Sequence, residues 1–98
     1  MIDLKEDWLE KIKFILNDNV PDYKALAYGS RVNGNAATYS DLDIALIGAD
    51  KIDWRDIESL KDIFSESDIP IIIDIVDYNA VSENFQKIIQ ENCAVIKE

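Results

Sequence analysis

Apolar residues at Leu4, Trp8, Leu9, Ile12, Ile15 and Leu16 fall three and four apart, the spacing of one stripe on a helix. They predict a first helix ending near Asn19, ahead of Pro21. Tyr23 to Tyr28 is short, aromatic at both ends and free of breakers, and predicts a strand that stops at Gly29-Ser30. The polar stretch from Ser30 to Ser40 predicts a loop with one helical turn. From Asp41 the chain reads D-L-D-I-A-L-I, which puts Leu42, Ile44 and Leu46 on one face of a second strand and Asp41, Asp43, Ala45 and Ile47 on the other. Asp53 is placed to cap a helix carrying Trp54, Ile57, Leu60, Ile63 and Phe64 inward. Ile69 to Val76, with Pro70 at its start, predicts a third strand whose near-continuous branched residues imply burial on both faces. A last helix from about Ser82 to Asn92, with Phe85, Ile88 and Ile89 inward, leads to an edge strand over Cys93 to Ile96. The sum is an α+β chain with a mixed sheet of about four strands packed with helices. The second and third strands are joined through a helix, so they can lie parallel and adjacent.

A chain of 98 residues gives room for one domain, residues 1–98, and no second. Twenty Asp and Glu oppose ten Lys and Arg, for a formal charge of −10. That balance repels a phosphate backbone, so no direct nucleic-acid partner is expected. With no histidine and a single cysteine, Cys93, a zinc or copper site lacks ligands, and any metal must sit on oxygen. The acidic start, Met1 to Asp7, is unlike a secretory signal, and no apolar run approaches the roughly eighteen residues of a membrane span, which implies a cytoplasmic protein with no membrane partner.

Chemistry gathers on the acids of the second and third strands. Asp41 and Asp43, two apart on one strand, project from the same face about 7 Å apart at ~3.3 Å per residue and can share metal ions. Asp74 interrupts the most apolar strand, where an uncompensated buried charge is costly, so a divalent cation held by Asp41, Asp43 and Asp74 would relieve it. Gly29-Ser30 ends the preceding strand, where a glycine lets backbone approach a ligand and a hydroxyl with N–H groups can hold phosphate. Arg31 adds a guanidinium suited to a phosphate contact. Such a set fits a nucleoside triphosphate carrying magnesium. A P-loop fails because Asn35-Ala36 stands where Lys and Ser or Thr belong, and an EF-hand fails at Ala45 and Leu46. Asp77 has the opposite strand parity to Asp74 and reads as a turn or cap. Tyr28, Tyr39, Trp8 and Trp54 read as packing residues, with either tyrosine able to flank a base, and Cys93 as a small buried hydrophobe.

The strings GSRVNG and SDLDIAL, with the later Ile73-Asp74-Ile75-Val76-Asp77 strand, resemble the polymerase-β-like nucleotidyltransferase superfamily and in particular its minimal MNT domains. The resemblance runs from Tyr23 to Ile96. It implies that Gly29 and Ser30 hold the triphosphate while Asp41, Asp43 and Asp74 ligate two Mg²⁺ ions, with Mn²⁺ an alternative, and carry catalysis. It further implies transfer of AMP from ATP to a tyrosine of an all-helical HEPN toxin, for which the chain is the antitoxin. The alternative is a non-catalytic antitoxin that neutralises the toxin by binding alone.

Overall fold

The computed structural model describes residues 2–34 and 36–98, so Met1 of the acidic start and Asn35 of the P-loop comparison lie outside the described residues. Among the described residues four helices and four strands alternate: α1 (Glu6–Asn19), β1 (Lys24–Tyr28), α2 (Ser30–Asn33), β2 (Leu42–Ile47), α3 (Trp54–Glu66), β3 (Ile73–Asp77), α4 (Glu83–Glu91) and β4 (Cys93–Lys97). The sheet order is β3-β2-β1-β4. β1 runs antiparallel to both β2 and β4, whereas β2 and β3 are parallel, as their crossover through α3 allows.

Strand alternation divides the interior into two clusters. Ala25, Ala27, Leu42, Ile44, Leu46, Ile73 and Ile75 face the larger one, against Trp8, Ile12 and Leu16 of α1 and Leu60 and Phe64 of α3. Leu26, Tyr28 and Ala45 face the smaller one, against Ile89 and Phe85 of α4. The helix start foreseen from capping chemistry forms, with Asp53 accepting from the Arg55 N–H at 2.9 Å, and α4 is capped likewise by Ser82 Oγ, which accepts from the Phe85 N–H at 3.2 Å. Among the described residues no helix is long and apolar enough to cross a membrane.

Several expectations need correction. β3 begins at Ile73 and is an edge strand, with Ile73, Ile75 and Asp77 buried and Asp74 exposed, so it is not buried on both faces. The branched run Ile69 to Ile72 that suggested a fully buried strand lies ahead of it, and Ile72 is exposed. Trp54, Ile63 and Ile88 are exposed, because the buried stripes narrow to Leu60 and Phe64 on α3 and to Ile89 on α4. Arg55 lies over the Trp54 ring instead, 5.6 Å from its centroid. Tyr39 is exposed and packs into neither cluster, and Cys93 is only half-buried.

Candidate functional site

Strand pairing assembles the site. Asp43 lies opposite Tyr28 across the antiparallel β1–β2 pair and opposite Asp74 across the parallel β2–β3 pair. All three share the sheet face that carries α4, since their neighbours of the same parity, Ala45 and Val76, belong to the smaller cluster. Asp41, immediately ahead of β2, is exposed. The like charges are felt: burial first, then Asp74, then Asp41, push the Asp43 carboxyl above its ordinary 3.8. Tyr28 is pushed up to about 12 by burial, with Asp43 and Asp74 adding to it, so the phenol stays protonated. Its ring meets Phe85 edge-on at 5.8 Å.

Gly29 follows directly. Its φ of 83° is one that residues bearing a Cβ rarely adopt, and a Cβ built there would lie 2.6 Å from Asp43 Oδ2. The strand-ending turn and the carboxylate therefore stand against each other, with glycine supplying both the backbone geometry and the space. Ser30 opens the single helical turn α2, whose start is closed by Val32 and Asn33 donating to the Gly29 carbonyl at 3.0 and 3.1 Å. Gly29, Ser30, Asp43 and Asp74 are thus brought to one end of the sheet, with Asp41 beside them.

Arg31 corrects an expectation. It is 3% exposed, and its guanidinium donates to Ser40 O from Nε at 3.1 Å, to Asp3 O from Nη1 at 2.8 Å, and from Nη2 to Thr38 O and Ser40 O. A side chain so engaged fastens the segment leading to Asp41 onto α2 and the N-terminal segment and is not presented to a phosphate. Arg31→Lys keeps the charge but loses the fork, and chemical denaturation should show a loss of about 2–3 kcal/mol. Asp77 behaves as its parity suggested: buried, it accepts from the Ile52 N–H at 2.9 Å and the Asn79 N–H at 3.0 Å and closes turns.

Sequence reasoning missed Lys61. From α3 its ammonium reaches the edge of the sheet, 3.9 Å from Asp74 Oδ1, with both side chains substantially exposed. The crossover that makes β2 and β3 parallel carries α3 alongside β3, and that was the available signal. Asp74 is therefore not the buried, uncompensated charge that the apolar strand implied: its side chain is 54% exposed and has a cation nearby. Among the described residues no three acidic or cysteine side chains stand in metal-coordinating geometry. Asp74 lies beside Lys61 instead, 3.9 Å away. The donor chemistry nonetheless fits a hard divalent ion, being all carboxylate oxygen with a central member, Asp43, whose charge the other two oppose.

Known proteins resemble this chain in sequence and in fold. The family model described as polymerase beta, nucleotidyltransferase matches residues 10–98. A probable protein adenylyltransferase MntA of Haemophilus influenzae is 44% identical over 97 residues, covering 99% of this chain and 85% of that protein. A chain of a toxin–antitoxin crystal structure with AMP-PNP superposes with a TM-score of 0.78 at 26% identity, covering 90% of this chain and 71% of that one. A chain of the structure of a tri-AMPylated Shewanella oneidensis HEPN toxin in complex with MNT antitoxin gives a TM-score of 0.62 at 25% identity, with coverage of 90% and 67%.

Proposed function

Because the chain belongs to the polymerase beta nucleotidyltransferase family, we propose that residues 1–98 form one cytoplasmic domain that moves AMP from ATP to a tyrosine hydroxyl of a HEPN toxin. It is a protein adenylyltransferase and an antitoxin of the MNT type, and its partner is a HEPN toxin. The observation that carries the site assignment is the meeting of Gly29, Asp43 and Asp74 at one end of the sheet.

Asp41, Asp43 and Asp74 would hold magnesium, which would supply positive charge against the triphosphate and the developing negative charge of transfer. Gly29 lets the triphosphate approach the backbone, and Ser30 offers its hydroxyl to a phosphate oxygen. Tyr28, protonated and half of a packed aromatic pair, stands beside Asp43 across the β1–β2 pair. The acceptor oxygen forms a bond to the α-phosphorus while the bond to the bridging oxygen breaks. Pyrophosphate leaves, and the hydroxyl proton passes to solvent.

Incubation with the partner toxin, magnesium and labelled ATP tests this function. Label on the α-phosphate should pass to the toxin, label on the γ-phosphate should not, and EDTA should stop the transfer. An inert mixture with an intact, neutralised toxin would support neutralisation by contact alone.

A further inference from the structure

On the assignment above, we infer that a cavity along the outer edge of β3 is where the acceptor's aromatic side chain docks. The cavity has a volume of about 420 Å³ and lies between α3 and the segment ahead of β3, lined by Phe64, Ser65, Ile71, Ile72, Lys61 and Asp74 among others. Its walls are mainly apolar, and its charged members, Asp74 and Lys61, stand 3.9 Å apart. An apolar ring with one polar tip matches that division, which is the chemistry of a tyrosine in a protein segment. Three observations select this occupant. Asp74 belongs both to the cavity and to the carboxylate set, so the hydroxyl of a ring seated here lies next to the site of transfer. β3 is an edge strand, so a protein segment can reach the cavity from outside without disturbing the sheet. Ile72 on the cavity lining is 68% exposed and belongs to neither core cluster, so its apolar side chain is open to an incoming ring.

The cavity thus separates acceptor from nucleotide: ATP meets Gly29 and Ser30 on one side of the carboxylates, and the phenol arrives from the β3 edge on the other. Steady-state kinetics of the full chain with its HEPN toxin test this, alongside calorimetric titration with AMP-PNP and magnesium. Ile72→Glu puts a charge at the cavity mouth, and Ser65→Trp fills the cavity from an exposed position. Each should raise KM for the toxin at least tenfold with AMP-PNP affinity unchanged, and Ile72→Leu should restore KM to within about twofold. Unchanged KM in both variants overturns the docking assignment alone. Weakened AMP-PNP binding also overturns it, because the cavity would then hold the nucleotide. Absence of α-label transfer by the unaltered chain overturns the function and the acceptor cavity with it.

Discussion

Replacing Asp43 with Asn is expected to abolish adenylyl transfer while leaving the metal-free protein at least as stable as before. Asp43 sits between two other carboxylates, opposite Asp74 and beside Asp41. Removing its charge removes the central oxygen ligand, and losing the charge stabilisation a metal ion provides should cost on the order of a thousandfold, about 4 kcal/mol. Single-turnover transfer of α-label should show that loss. Stability moves the other way, because burial and the two neighbouring charges all disfavour ionised Asp43. The gain is modest, under about 1 kcal/mol for a site that solvent partly screens.

The pH dependence follows from the direction of the shift. A carboxyl whose folded pKa lies above its unfolded value binds more protons in the folded state between the two, so its contribution to stability falls as pH rises through that window. The penalty is absent below the ordinary 3.8 and complete above the raised value. Without magnesium, the advantage of Asp43→Asn over the parent should therefore grow as pH rises from about 4 and then level off. An advantage that shrank over the same range would mean that Asp43 does not feel its neighbours.

The second large effect is expected at Gly29. Gly29→Ala places a methyl carbon 2.6 Å from Asp43 Oδ2 at a backbone φ of 83°, so both the carboxylate and the turn must move. Backbone strain alone should cost roughly 1–3 kcal/mol in denaturant titrations. Displacing the carboxylate by about 1 Å should lower transfer at least ~100-fold. Gly34 is the internal control. It shares the positive φ, at 88°, but a Cβ there meets nothing within 4 Å. Gly34→Ala should therefore lose about 1 kcal/mol of stability and keep most of its activity. Equal activity losses in both variants would show that the Asp43 contact does not matter.

The elements legible in the sequence are those fixed by local chemistry. Asp53 caps a helix where capping rules put it, and the alternation from Leu42 to Leu46 divides the faces as its period requires. Asp43 and Asp74 come together as the pairing of their strands requires, with Gly29 just past β1 and Asp41 just ahead of β2. What misleads is burial, which depends on neighbours that composition does not show. Ile69 to Val76 is as apolar as an inner strand, yet β3 lies at the sheet edge, so Asp74 is exposed beside Lys61. Arg31 misleads for a related reason. Its position beside a phosphate-type turn suggests a ligand contact, but the carbonyls that claim it come from Asp3, Thr38 and Ser40, up to 28 residues away in sequence.

The unequal clusters on the two sides of the sheet have a consequence for how such a protein changes over time. Most of the close-packed interior lies against α1 and α3, whereas the carboxylates project from the side that carries only α4. Folding stability and chemistry therefore draw on largely separate sets of residues. Substitutions among the residues flanking the carboxylates can therefore alter catalysis without unfolding the scaffold.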